Sequence, residues 1–203
     1  RQPMRHPPGR AGRLWLLGRL AAARRASELL EVKLAMLQSV HVQFSALAER
    51  TGTAWIAASQ EAETWRLRAA ALGGERALRP DGRPEAEANV IWAAVMGVRY
   101  PLRATLTFPP RTTPPGPVPT GALTEAVSAY ERATEAAVAH AVAKAADEIV
   151  AAEVRATRIR RRAVDERRLP QLEETLQALE TELDEQERAE GVRLRWAVRS
   201  ASR

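Results

Sequence analysis

The sequence predicts a mainly α fold: a long antiparallel two-helix coiled coil, built from N- and C-terminal helices, with a short β-hairpin-like middle region. Three observations carry this. Leu172, Leu176, Leu179 and Leu183 recur at spacings of four, three and four, which returns them to one helix face every 3.5 residues on average. A heptad register runs without a break from Leu16 to Leu72. Between the two helical stretches the composition changes to Val, Ile, Trp, Tyr and Thr, and then to a proline-rich run.

Taken in order, residues 1–12 (RQPMRHPPGRAG) read as a flexible arm. The first helix is expected over 13–72. Its seam is Leu16, Leu20, Ala23, Ser27, Leu30, Leu34, Leu37, His41, Phe44, Ala48, Thr51, Trp55, Ala58, Ala62, Trp65, Ala69 and Leu72, of which only Ser27, His41 and Thr51 are polar. No proline falls between Pro8 and Pro80, and Gly18 and Gly52 are the only glycines inside. About 60 helical residues would reach roughly 90 Å, far beyond an ordinary globular helix. Gly73-Gly74 is the predicted stop, because glycine takes the left-handed cap conformation without steric cost.

The middle region is expected over 73–119. Pro80-Asp81-Gly82 reads as a turn. Two short strands are expected within 95–108, from the alternation around Val95 to Tyr100 and Ala104 to Phe108, with Pro101 at an edge or in the turn. Residues 109–119 hold six prolines and read as a stiff linker. Thr120 reads as the N-cap of a second helix over 120–199. Its early seam is predicted at Leu123, Val127, Tyr130, Ala137, Ala141, Ile149, Ala152, Ala156, Ile159 and Ala163, and small residues there let two helices approach closely. Pro170 removes a backbone hydrogen bond inside this helix, so a bend is expected there.

Aromatic residues are only 4% of 203 residues, which suits long helices rather than a thick core. The net charge of +6 is unevenly placed: residues 1–27 carry seven Arg and no acid, whereas 173–190 carry seven Glu, one Asp and one Arg. An antiparallel hairpin brings these blocks together. Each exposed pair contributes only about 0–1 kcal/mol, yet opposed blocks select orientation and register. The basic, acid-free first 27 residues resemble a transit peptide in composition, but their apolar positions belong to the seam. No apolar run approaches the roughly 20 residues that span a bilayer, so direct membrane insertion is not expected.

The motifs point away from catalysis. No cysteine is present, which removes disulfides and thiolate chemistry. No P-loop, HExxH, EF-hand loop or serine elbow is found. No catalytic, cofactor-binding or metal-binding residue is assigned, and no cofactor is expected. His41 lies on the seam and reads as a register-setting polar residue. The glutamates of 173–190 read as a solvated face. Arg158, Arg160, Arg161 and Arg162 form a basic collar just before the expected bend. Without interleaved aromatics or a recognised module, nucleic acid is not the expected partner; a protein-facing collar is.

Three blocks resemble the D subunits of the V-type/A-type rotary ATP synthases. They are GRAGRLWLLGRLAAARRASELLEVKLAMLQ near the N-terminus, VMGVRYP at Val95–Pro101, and a C-terminal block with Thr157, Arg158, Arg160, Ala163, Pro170, Leu172, Glu173, Glu174, Glu187, Arg188, Arg193 and Leu194 at matching places. The chain departs from the family pattern at Arg162, Glu166 and Gly191-Val192. The resemblance implies a non-catalytic central rotor shaft, one copy per complex, peripheral to the membrane on its cytoplasmic side. It implies that the two helix ends enter the hexameric A/B head, and that the F subunit and a membrane-side ring adaptor contact the middle region. On that basis Arg158, Arg160, Arg161 and Arg162 are candidate head contacts, and Met96, Val98 and Tyr100 candidate middle-region contacts. The alternative is a coiled-coil scaffold or adaptor with a basic surface and no rotary role.

Overall fold

The computed structural model describes residues 6–74, 85–109 and 120–201. The expected turn at Pro80-Asp81-Gly82, the linker residues 110–119 and the first five residues of the arm lie outside these. The elements are α1 (Gly9–Ala69), β1 (Glu87–Val95), β2 (Val98–Thr107), α2 (Gly121–Ala163) and α3 (Leu169–Ala201), with π turns at Ala70–Gly74 and Val164–Arg168. Two long helical stretches flank a two-stranded antiparallel sheet, the helical hairpin with a β-hairpin that the sequence predicts.

Helix α1 starts at Gly9, four residues before the expected Arg13. Gly9 sits at φ +68° and sets the change of direction. A Cβ at Gly12 would lie 2.0 Å from the Pro7 carbonyl oxygen, so only glycine lets residues 6–8 fold back on the first turn. At the other end the α-helix stops at Ala69, and Gly73-Gly74 fall in the π turn that follows. Thr120 caps α2: its Oγ1 accepts from the Leu123 backbone N–H at 3.3 Å, satisfying a donor the first turn leaves open.

The strands lie earlier and closer than expected. β1 ends at Val95 and β2 begins at Val98, so Val95–Tyr100 is a turn with its flanks rather than a strand. Met96 (φ 48°) and Gly97 (φ 80°) form a two-residue loop of the kind whose twist matches the strands it joins. Met96 is the only non-glycine residue with positive φ among the described residues. Pro101 is inside β2 and opposite Trp92, where the register slips by one residue between Ile91 and Trp92. A proline is tolerated there because every strand of a two-stranded sheet is an edge and a bulge already interrupts the ladder.

The chain divides into two compact units. In the first, Arg1–Leu34 with Arg155–Arg203, the core is Leu16, Leu20, Leu172 and Leu179, flanked by Ala23, Leu169, Leu176 and Leu183. Ion pairs mark the antiparallel direction: Arg10–Glu187 at 2.9 Å, Arg13–Glu180 at 2.8 Å and Arg24–Glu173 at 2.9 Å. In the second unit, Ala35–Val154, Ala62, Ala129 and Ala133 pack with Ala58 and Trp65. There Arg132–Glu61 at 2.8 Å and Tyr130–Glu63 at 3.3 Å link α1 to α2.

The seam of α2 needs correction. The buried residues are Ala126, Ala129, Ala133, Ala143, Ala146, Val150, Val154 and Thr157, whereas Val127, Tyr130 and Ile159 are exposed. The expected seam is displaced by one or two residues in both halves of the helix. Alanine occurs on every face of this helix, so its spacing carries no register. A separate change of phase lies downstream. The heptad of Val150, Val154 and Thr157 continues through 161 and 164 to 168 and 171, but the seam of α3 uses Leu169 and Leu172. One extra residue must be absorbed between them, and the π turn Val164–Arg168 absorbs it: the Leu169 N–H bonds back five residues to the Val164 carbonyl. π turns of this sort are single-residue insertions into an α-helix, and the wider turn lies directly before Pro170.

Candidate functional site

The sequence-predicted seam residues fall as follows. Leu16, Leu20, Leu34, Leu37, Leu172 and Leu179 are buried. Leu30, Phe44, Trp65, Leu176 and Leu183 are half-buried. Trp55 is 40% exposed and stacks on His140 with ring centroids 5.5 Å apart.

In the second unit this stack belongs to a polar stretch of the seam. His140 packs beside Gly52, where an added Cβ would lie 3.1 Å from the ring. Its Nδ1–H donates to the Ala48 carbonyl at 3.1 Å, which fixes the Nδ1-protonated tautomer. Thr51 Oγ1 lies 3.4 Å from the same nitrogen. His41 Nδ1 lies 2.8 Å from Asp147 Oδ1, a close polar pair whose atoms lack hydrogen-bond alignment. Spacing along the chain places no carboxylate near His41. Asp147 is 106 positions away, and only antiparallel packing brings it there. The signal available was the pair His140 and Asp147 seven residues apart, on the heptad of Ala133 and Val154.

The basic collar separates into parts. Arg158 and Arg160 are exposed. Arg162 Nε donates to Glu166 at 2.8 Å on its own helical stretch. Arg161 is turned toward α1 of its own unit: its guanidinium lies 3.3 Å from Glu31 and 3.3 Å from Asp165. Asp165, inside the π turn, also accepts a 2.5 Å hydrogen bond from the Ser27 hydroxyl. Thus Ser27, Asp165, Arg161 and Glu31 tie the π turn to α1, and Arg161 is engaged within the chain.

On the hairpin, Met96 is 39% exposed at the turn. Val98 and Tyr100 are half-buried, and Tyr100 meets Phe44 edge-on with centroids 4.9 Å apart. The other exposed large apolar residues are Val90, Trp92 and Leu102, with the Arg99 guanidinium 5.6 Å from the Trp92 ring.

Past Glu187, α3 carries exposed Val192, Leu194, Trp196 and Val198, Trp196 at 74%. At about 100° per residue, Val192 and Trp196 form one stripe and Leu194 and Val198 another on the opposite side. Among the described residues no group of three or more His, Asp or Glu is placed to hold a metal ion, and no helix is long and apolar enough to cross a membrane.

These features define a class: a helical hairpin with a heptad seam, a small antiparallel sheet and apolar surfaces left open for partners. Over residues 15–199 the chain matches the family model for the ATP synthase D subunit, and it belongs to that family. It is therefore a structural component with a place in a rotary ATP synthase complex. No curated protein matches it.

Proposed function

We propose that this chain is the central rotor shaft of a V/A-type rotary ATPase, coupling ATP turnover in the A/B head to ion movement through the membrane ring. The observation that carries this reading is the far end of α3. A surface helix normally has one apolar stripe. Two opposed stripes cannot both be covered by a partner on one side, so Val192, Leu194, Trp196 and Val198 call for an enclosing sleeve. The central cavity of a hexameric head has that form. The heptad seam of α1 and the Ala-lined second unit suit a slim, torsionally stiff element. A rod that contacts three equivalent sites unequally biases their populations by differential binding. The F subunit and a ring adaptor would take the middle region, and Arg158 and Arg160 are the exposed collar residues of this reading.

The test is reconstitution with the A, B and F subunits, followed by gel filtration and ATPase assay. One copy of the chain is expected to elute with a three-plus-three head and to change its turnover. Leu194→Ala combined with Trp196→Ala is expected to weaken retention on the head while leaving the helical circular dichroism unchanged. Elution apart from the head in every nucleotide state would remove the rotor reading and favour a scaffold.

A further inference from the structure

The change of phase between α2 and α3 falls in a window that core packing leaves uncommitted. Thr157 before it and Leu172 beyond it are fully buried, but no residue from 158 to 168 is. Counted forward from Val154 and Thr157, the inner positions are 161 and 164. Counted back from Leu172 and Leu169, they are 165 and 162. The structure uses one position from each series: Arg161 reaches Glu31, and Asp165 reaches Ser27. The phase therefore changes between them, where the π turn Val164–Arg168 opens. One extra residue absorbed anywhere in the window would keep Thr157 and Leu172 buried, so other contacts must choose the place. Pro170 is one. In a regular α-helix its ring clashes with the carbonyl four residues earlier, here that of Glu166, and a widened turn just before the proline relieves the crowding. The polar contacts are the other: Arg161–Glu31 at 3.3 Å opposes movement of the turn toward Thr157, and Ser27–Asp165 opposes movement toward Leu172.

We propose that the π turn is a movable joint: once Pro170 and the Arg161–Glu31 contact no longer hold it, it slides toward Thr157 and exchanges Arg161 for Arg162 as the arginine that faces α1. A π turn is one extra residue in a ladder of α bonds. It moves when bonds that reach back five residues are exchanged, one at a time, for bonds that reach back four. Once it has passed 162, residues 162–168 follow the phase of α3. Asp165 then keeps its place beside Ser27. Arg162, with its side chain 75% exposed, turns inward, whereas Arg161, at 33%, and the half-buried Val164 turn outward, each by about 100°. No fully buried side chain is lost in the exchange, so the contacts named here, rather than the leucine core, set the balance. Two discrete arrangements of one packed element are what a conformational switch requires. In this switch the joint decides which arginines of the collar face outward. It is a property of the chain on its own and stands independently of the rotor reading.

The experiment is thiol labelling of the full chain with a water-soluble maleimide. The chain has no cysteine, so single cysteines report position without background. Arg162→Cys and Val164→Cys are the probes, and Thr157→Cys, at a site buried in both arrangements, reports unfolding. With the joint in place, the cysteine at 162 is expected to label faster than that at 164. With Glu31→Ala and Pro170→Ala together, the ratio of the two rates is expected to fall about tenfold while the cysteine at 157 stays protected, because one site becomes covered as the other opens. A ratio unchanged within about twofold, with 157 protected, overturns the proposal. So does fast labelling at both 162 and 164 with 157 protected, which is local unwinding rather than a second register. If the cysteine at 157 becomes reactive in that variant, Pro170→Ala with Arg162→Leu decides in its place. There a leucine gains burial only when the joint slides, so labelling at 164 is expected to exceed that in Pro170→Ala alone, and an equal rate overturns the proposal.

Discussion

His41 and Asp147 show how one residue pair fixes a register. Both side chains are more than half covered, so each depends on the other to offset lost solvation. His41→Leu alone strands the carboxylate and is expected to cost about 1–3 kcal/mol in urea unfolding. His41→Leu with Asp147→Leu is expected to recover most of that, since a well-packed apolar pair leaves no buried polar group without its partner. Gly52 and His140 form a second coupled pair. Gly52→Ala alone gains helix propensity but crowds the ring. In a His140→Ala background the crowding is gone, and the same change is expected to stabilise by up to about 1 kcal/mol. Tyr130 offers a direct titration. Burial, and then the Glu63 carboxylate beside it, hold its phenol above the usual range. The neutral phenol is thus favoured by folding, and that stabilisation is present below the ordinary tyrosine value and lost as pH rises through the folded one. Glu63→Gln removes the negative charge, so the absorbance change near 295 nm should move to lower pH; an unchanged midpoint would exclude the carboxylate as a cause.

At the scale of elements the decisive feature is the π turn Val164–Arg168. It reconciles a seam that would continue to 168 and 171 with leucines at 169 and 172. Removing one exposed residue, Glu166, together with Pro170→Ala, is expected to give an uninterrupted α-helix with its seam still in phase. Inserting one residue between Arg167 and Arg168 is expected to rotate Leu172 and Leu179 by about 100° away from Leu16 and Leu20. Losing such a fully buried leucine contact costs about 2–5 kcal/mol, so thermal unfolding separates the two variants: the deletion unfolds at or above the parent temperature and the insertion well below it. The hairpin illustrates the opposite case, in which the turn was readable only in part. Met96-Gly97 has one residue suited to positive φ and one that is not. Met96→Asn is expected to strengthen the hairpin by about 0.5–1 kcal/mol, read by amide exchange in β1, because asparagine takes this conformation more readily than methionine.

For the whole molecule the basic first block and the acidic last block meet as Arg10–Glu187, Arg13–Glu180 and Arg24–Glu173. Their side chains are 43–84% exposed, so screening by salt removes little stability. Their effect is on direction, since a parallel arrangement would leave the two blocks at opposite ends with no such pairs. Raising the salt concentration to about 1 M, where screening is nearly complete, is accordingly expected to shift the melting temperature by only a few degrees while leaving the helical signal intact. The surfaces left open, at the far end of α3 and along β1, carry large apolar side chains that the seam does not use.

The first half of the α1 seam was legible from the sequence because it is mostly leucine, regularly spaced and uninterrupted by proline; Leu16, Leu20, Leu34 and Leu37 are buried as that pattern requires, whereas Trp55 and Leu72 further along are exposed. The antiparallel sense followed from charge, and the sheet's existence from a change in composition. What the tertiary structure alone decided is where distant residues meet and how register is kept. The alanines of α2 lie on all sides of their helix, so only packing selects Ala126, Ala129 and Ala133. Asp147 reaches His41, and Arg161 turns from the surface to Glu31, because the opposing helix is there. The π turn exists because two seams, each regular alone, differ in phase by one residue, and a local period cannot report the phase of a seam formed with another part of the chain.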